Sequence, residues 1–299
     1  MPPSPTFSMT KLIFGCGYLG ERVAGRWRDA RQDVVVVTRS GTRADEFKRQ
    51  GFGTIVADVT QPATLVGLPS AGTVLFAVGF DRSAGQPIVE VYAGGVRNVL
   101  AALPSDTGRF IYISTTGVYG DTGGQWIDEQ TPPDPERDDG RASLAAEQAL
   151  ADHPLGARGV ILRLAGLYGP GRVPFLDQLR AGQPIPAAGE GHLNLIHVDD
   201  AAAAVLAAAG ELNRKRIDYP GARIFCVSDG HPVRREDYYR EVARRIGASA
   251  PQFVAPDPHS PRAARSATDR RVSNTRMLME LSVRLAFPDY RAGLAAILG

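Results

Sequence analysis

The sequence predicts an α/β protein, a doubly wound parallel sheet with a small C-terminal lobe. Three observations carry that expectation. Strand-like and helix-like patterns alternate from residue 11 onward, as they do when helices cover both faces of a parallel sheet. Val34–Val37 is a run of four β-branched residues, the composition of a strand buried on both sides. Between this run and the apolar stretch Lys11–Phe14 lies a glycine turn, Gly15, Gly17 and Gly20, with G-x-G-x-x-G spacing.

Taken in order, Lys11–Phe14 is the first strand, and the turn GCGYLG opens a helix with Leu19, Val23 and Trp27 on one face. Each glycine answers a physical need: Gly15 permits a tight turn, Gly17 lets the backbone approach a pyrophosphate, and Gly20 lets helix and strand pack closely. The amides at the start of that helix, with its dipole behind them, favour a bound phosphate. A strand–turn–helix–strand carrying this spacing therefore predicts a dinucleotide site built on Gly15, Gly17, Tyr18, Leu19 and Gly20. Val37 is followed by Thr38, Arg39 and Ser40, with no carboxylate until Asp45. A carboxylate here would bind a ribose 2′-hydroxyl and repel a 2′-phosphate, whereas a guanidinium forks onto the phosphate and a small hydroxyl assists. The expected cofactor is NADP(H), held by Arg39 and Ser40, with NAD as the alternative; the competing reading of Arg39 is an ordinary surface arginine.

The third strand is expected over Thr54–Ala57, ending at Asp58, and the fourth over Thr73–Val78, closing on Gly79. A helix through Val89–Leu103 follows, then a strand Phe110–Ile113 running into Ser114, Thr115 and Thr116. Residues 121–141 are rich in Asp, Gly and Pro and read as a long loop before a helix at Ala142–Ala151 and a strand at Val160–Leu164. Beyond Gly166 the alternation loosens into Gly/Pro-rich loops. Leu193–Val198 and Arg223–Val227 again read as strands, and Arg235–Ile246 and Asp289–Leu298 as helices. This organisation predicts a loose tail at residues 1–9, a Rossmann domain from 10–170 plus 192–228, and a substrate lobe from 171–191 plus 229–299. Ligands of such sheets bind beyond the carboxyl ends of the strands, which gathers the glycine turn, Arg39, Asp58, Gly79 and Ser114–Thr116 around one crevice, with Asp58, Val78, Gly79 and Ser114 expected at the cofactor.

Composition narrows the field. At 43% hydrophobic and 22% charged residues the chain is globular, and no run is long and apolar enough to span a bilayer. Met1–Met9 lacks the basic and apolar regions of a signal peptide. The two cysteines, Cys16 and Cys226, form no C-x-x-C, so neither a disulfide scaffold nor a thiolate metal site is expected, and the expected location is cytoplasmic. The net charge of +2 comes from a basic C-terminal third without aromatic interleaving, so a small-molecule partner is expected, not nucleic acid or a membrane. A monomer or homodimer is the expected form. His197, Asp199 and Asp200 sit beside an alanine-rich run, where one of the carboxylates reads as a helix N-cap and no metal is expected.

The chain resembles the extended short-chain dehydrogenases/reductases, in particular an atypical subgroup of NAD(P)-dependent epimerase/dehydratase-like proteins. The resemblance rests on GCGYLG, ISTTGVYGD (Ile113–Asp121), LYGPG (Leu167–Gly171) and IHVDDAA (Ile196–Ala202). It is narrowed by FCVSDGHPVRREDYY (Phe225–Tyr239), RVSN (Arg271–Asn274) and FPDYRAGL (Phe287–Leu294). It implies that Thr115 occupies the position of the catalytic Ser/Thr and that Asp58 contacts adenine. The plainer readings are a strand-end hydroxyl satisfying backbone groups and a turn residue.

One departure stands out. The family's acid/base pair Tyr-x-x-x-Lys should fall at positions 139 and 143, which hold Asp139 and Ser143. The chain's three lysines, Lys11, Lys48 and Lys215, have Phe7, Ala44 and Glu211 four residues before them. Candidate substitutes are Tyr119, Tyr168, Arg141 and Asp139; Tyr119 is expected to act with Thr115 in catalysis, its competing role being packing, and the competing reading of Asp139 is a solvated loop carboxylate. Arg262, Arg265, Arg270 and Arg271 are candidates to close over an anionic substrate; the competing reading is a solvated basic loop. The expected function is an NADP(H)-binding oxidoreductase or epimerase/dehydratase-like enzyme acting on a small polar, sugar- or phosphate-bearing substrate. The alternative is a catalytically impaired NADP(H)-binding sensor.

Overall fold

Seven strands form the central sheet of the computed structural model, which describes residues 10–210, 221–257 and 268–299. They are β1 (Lys11–Phe14), β2 (Val34–Thr38), β3 (Gly53–Val56), β4 (Thr73–Phe76), β5 (Arg109–Thr115), β6 (Gly159–Leu164) and β7 (Arg223–Val227). Their spatial order is β7-β6-β5-β4-β1-β2-β3. The order reverses between β1 and β4, and β3, β2, β1, β4 and β5 pair in parallel, with Leu12 opposite both Val35 and Val74. Ligand crevices of doubly wound sheets form at this reversal, because the connections leave the sheet there in opposite directions.

Burial explains the sheet. Leu12, Phe14, Val74, Phe76, Phe110 and Tyr112 are at most 1% exposed. Phe76 stacks with Phe14 and Phe110, ring centroids 6.2 Å apart in each pair. Such pairs add about 0.5–1.5 kcal/mol beyond the area they bury. Helices α1 (Gly20–Asp29), α2 (Gly41–Arg49), α3 (Gly95–Ala102) and α4 (Asp138–Ala151) accompany these strands. A π-helical turn, Glu90–Gly94, leads into α3. At Gly95 a Cβ would lie 2.9 Å from the Val59 side chain and 3.3 Å from that of Phe76, so glycine allows this close approach.

The later elements are α5 (Leu176–Arg180), α6 (Val198–Gly210), α7 (Arg235–Arg245), α8 (Thr275–Leu281) and α9 (Tyr290–Leu298). The chain divides into two compact units. Among the described residues, one comprises 10–115, 138–163, 205–210 and 221–225; the other comprises 116–137, 164–204, 226–257 and 268–299. This division assigns 116–137, 164–170, 192–204 and 226–228 to the second unit, whereas the sequence pattern joins them to the dinucleotide domain. Short ladders are the physical reason: Trp126–Ile127 pairs with Arg271–Val272, Gly166–Tyr168 with Leu195–His197, and His192–Leu193 with Val233–Arg234. The second unit has its own core of Tyr168, Leu179, Ile185, Tyr238, Val242 and Leu294.

Among the described residues no helix is long and apolar enough to cross a membrane. The expected tail at residues 1–9, Lys215, Arg262 and Arg265 lie outside the described residues.

Candidate cofactor and active site

The first unit places the glycine turn at the reversal of strand order. Gly15 leaves β1 at φ +84°, a conformation that strains any residue with a side chain. A Cβ on it would lie 2.5 Å from the Ala77 carbonyl and the Val78 amide nitrogen, the backbone that leaves β4. A Cβ on Gly20 would lie 2.6 Å from the Gly15 carbonyl oxygen, so the start of α1 packs on the turn only as glycine. Gly17 is different. It is exposed, its φ is ordinary, and a Cβ on it would meet nothing within 4 Å. The protein's own packing therefore requires glycine at 15 and 20 but not at 17. At 17 the space is open to a ligand.

Around the turn, the Gly17 amide donates to the Gly15 carbonyl at 3.0 Å. The residue before α1, Leu19, gives no side-chain cap. Tyr18 is half-buried, and the Arg22 guanidinium lies 4.3 Å from its ring centroid. The Cys16 thiol is 8% exposed and pushed up to about 12, chiefly by burial and then by the Glu21 charge, so it is no thiolate nucleophile at neutral pH.

Arg39 follows β2 with its side chain half-exposed, and its Nη2 lies 3.3 Å from Asp81 Oδ2. Ser40 caps α2, its hydroxyl accepting from the Arg43 amide at 3.3 Å. Arg43 pairs with Glu21 and Glu46. Asp58 closes a turn: its Oδ1 accepts from the Thr60 amide at 2.9 Å and from the Thr60 hydroxyl at 2.8 Å. Val78 packs on the core while Gly79 is exposed.

β5 ends in two hydroxyls with different surroundings. Ser114 is 5% exposed and its hydroxyl donates to Glu147 Oε1 on α4 at 2.5 Å. Glu147 in turn accepts from Arg163 Nε at 3.0 Å and from Nη2 at 2.6 Å, and both side chains are nearly fully buried. Successive strand side chains point to opposite faces, so half-buried Thr115 faces away from this ion pair. The sequence reasoning missed the pair. Arg163 interrupting the apolar strand Gly159–Leu164 was the signal for it, since a charge there must be matched.

The positions of the absent Tyr and Lys lie on α4, which starts at Asp138, inside the stretch expected to be loop. The Ser143 hydroxyl donates to the Asp139 carbonyl at 2.8 Å, Asp139 Oδ1 accepts from the Gly140 amide, and Arg141 pairs with Asp138 at 2.8 Å.

In the second unit, Tyr119 is 2% exposed; its hydroxyl donates to the Asp128 carbonyl at 2.7 Å and lies 3.4 Å from Cys226 Sγ. That is the environment of a packing residue, because a catalytic hydroxyl must reach substrate. Tyr168 is fully buried, its ring 5.3 Å from that of His197, and burial pushes its hydroxyl well above the usual value. Neither Asp199 nor Asp200 precedes α6. The His197 ring does the capping, Nδ1 accepting from the Asp199 amide at 3.2 Å. Asp200 accepts from the Ala286 and Phe287 amides instead. Arg270 donates to the Gly120 carbonyl and Arg271 lies in the ladder with Trp126. No group of three His, Cys, Asp or Glu residues among the described residues is placed to hold a metal.

Comparisons with known proteins agree with this architecture. Protein YeeZ of Escherichia coli K12 is 32% identical over 203 residues, covering 67% of this chain and 66% of that protein, just under two thirds of its length. The structure of a putative NAD-dependent epimerase/dehydratase from Methylobacillus flagellatus superposes with a TM-score of 0.75 at 30% identity, covering 98% of each chain. UDP-glucuronic acid 4-epimerase from Bacillus cereus, solved in complex with NAD, gives a TM-score of 0.76 at 19% identity over 97% of each chain, a likeness of fold. The model of the NAD dependent epimerase/dehydratase family matches residues 12–219. With the family model matching over two thirds of the chain and the reversal of strand order and the glycine turn in agreement, the chain belongs to the NAD-dependent epimerase/dehydratase family, within the extended short-chain dehydrogenases/reductases.

Proposed function

We propose that this chain is an NADP(H)-binding oxidoreductase or epimerase/dehydratase-like enzyme acting on a small polar substrate of the sugar- or phosphate-bearing kind. One observation supports the cofactor part: Gly17 is exposed at the switch point, and a Cβ there would meet no protein atom within 4 Å, so the turn leaves its outer side open to a ligand. A pyrophosphate fits there, against backbone amides and the N-terminal end of α1. Gly15, Gly17, Tyr18, Leu19 and Gly20 would hold the diphosphate, and Asp58, Val78 and Gly79 would border the adenosine half. Arg39 and Ser40 would meet the 2′-phosphate; in their favour is that no carboxylate occupies 38–40.

The nicotinamide, when bound, supplies two-electron redox chemistry. The chain's part is to position the reacting oxygen, and Thr115 at the end of β5 is the hydroxyl assigned to it. Its neighbour Ser114 is tied to Glu147, which fixes the end of the strand. A positioned acid/base is worth about 10²–10⁴ in rate, and residues 139 and 143 do not provide the usual one. That single departure favours the second reading, a sensor that binds NADP(H) without turning over.

The test is label transfer. The protein is incubated with stereospecifically deuterated NADPH and a panel of ketones and sugar nucleotides, beside the Thr115→Val variant. Enzymatic function predicts deuterium in one product and a loss of at least tenfold in T115V. A folded, nucleotide-saturated protein that transfers no label supports the sensor.

A further inference from the structure

We propose that Asp81 competes with a bound 2′-phosphate for Arg39 and thereby sets the protein's discrimination between the two nicotinamide dinucleotides. The proposal rests on the dinucleotide reading given above.

Arg39 stands at the end of β2, and Asp81 lies on the loop after β4, in front of a single helical turn, Arg82–Ala84. The two elements are separated in sequence by 42 residues and meet at Nη2 and Oδ2, 3.3 Å apart. Both side chains are about half exposed, 51% and 47%, so an incoming ligand can reach either one. The carboxylate is nevertheless held in place. Its other oxygen, Oδ1, accepts from the Ser83 amide at 3.0 Å and from the Ser83 hydroxyl at 2.6 Å, which turns Oδ2 onto the guanidinium. The Ser83 hydroxyl, then its amide and then Arg39 hold Asp81 below the usual carboxylate range, so it is charged at neutral pH.

The neighbouring cation offers no substitute. Arg43 is claimed by two carboxylates, Glu21 and Glu46. A 2′-phosphate is therefore expected to find its guanidinium at Arg39, already facing Asp81. A phosphate monoester carries about 1.5–2 negative charges at neutral pH, so it must displace Asp81 or sit beside a like charge. A 2′-hydroxyl carries no charge and meets no such obstacle. Asp81 thus penalises the phosphorylated nucleotide selectively. Exposed ion pairs are weak and screened by salt, so the penalty belongs in the range of several-fold and shrinks at high ionic strength.

Calorimetric titration of the whole chain with NADPH and with NADH, for wild type, D81N, R39A and the double variant, decides the matter. Circular dichroism confirms that each variant is folded; exposure of both side chains predicts that they are. The expected result for D81N is an NADPH Kd lowered about 3–10-fold with NADH changed by no more than about twofold, a gap that closes in 0.5 M salt. In the R39A background the same D81N change has no effect on NADPH. If D81N moves both nucleotides equally or neither, or if it weakens NADH, Asp81 is not the competitor and the proposal is overturned while the dinucleotide reading stands. If wild type and variants bind neither nucleotide, the dinucleotide reading fails and this proposal fails with it.

Discussion

Replacing Arg163 by methionine removes one half of the buried pair that ties β5 and β6 to α4. The Arg163 and Glu147 side chains are 3% and 4% exposed, and three of the bonds reaching the Glu147 carboxylate come from Arg163, at 2.6, 3.0 and 3.2 Å. Without them the carboxylate retains the Ser114 hydroxyl at 2.5 Å, too little to offset its lost hydration. Truncating one partner of such a pair costs about 3–5 kcal/mol, because an uncompensated charge is left in a low-dielectric interior. Ser114→Ala removes one hydrogen bond to a charged group, about 1.5–3 kcal/mol. Replacing both ions by apolar residues of similar volume removes the stranded charge as well, so E147M/R163M should be more stable than R163M alone. Urea unfolding followed by circular dichroism at constant pH measures all three and the E147M single variant, which completes the double-mutant cycle that isolates the coupling. A loss of under about 1 kcal/mol in R163M, or a double variant no more stable than R163M, would refute the argument.

Two further predictions concern other parts of the chain. Gly15→Ala should cost about 2–5 kcal/mol in the same unfolding assay, combining positive φ with overlap on the Ala77 backbone; a loss below about 1 kcal/mol would contradict the turn geometry. Asp229, 2% exposed, is pushed from the usual 3.8 to about 7, chiefly by burial, while the His231 amide opposes the shift. A carboxyl raised in the folded state binds its proton more tightly there. Its contribution to stability is complete below about pH 4 and is lost as pH rises through about 7. Relative to Asp229→Asn, wild type should lose on the order of 2–4 kcal/mol between pH 4 and 8; parallel stability curves for the two proteins would rule this out.

The sequence made β1, the glycine turn, α1 and β2 legible because periodicity, β-branching and glycine spacing agree there, and the observed ranges match closely. It did not reveal α2. Its nine residues, GTRADEFKR, bury only Ala44 and Phe47, too few apolar positions to show a helical face. The start of α4 was hidden for another reason. Asp138, Asp139 and Gly140 resemble loop residues, yet the two carboxylates lie in the first turn, where the helix dipole favours them. Ladders of two residues, such as His192–Leu193 with Val233–Arg234, carry no pattern long enough to read, so the sequence does not show the contacts on which the division into two units rests.

At the site, local residues were readable and partners were not. Gly15, Gly17 and Gly20 can be named from spacing, but only the structure separates the two that packing requires from the one it leaves free. Arg39 was visible as a lone cation after β2; Asp81, 42 residues away, carries no sequence signal that would attach it. The VYG segment drew attention to Tyr119, and burial against Asp128 gives its hydroxyl a structural duty instead.

Gly17→Ala tests the central claim most directly, because fold and ligand place opposite demands on that position. The added methyl meets nothing within 4 Å, so unfolding free energy should stay within about 1 kcal/mol of wild type. Calorimetry with NADPH and NADH should show affinity reduced at least tenfold for whichever nucleotide wild type binds. A folded G17A protein that binds dinucleotide as tightly as wild type would contradict the assignment of the pyrophosphate to this turn.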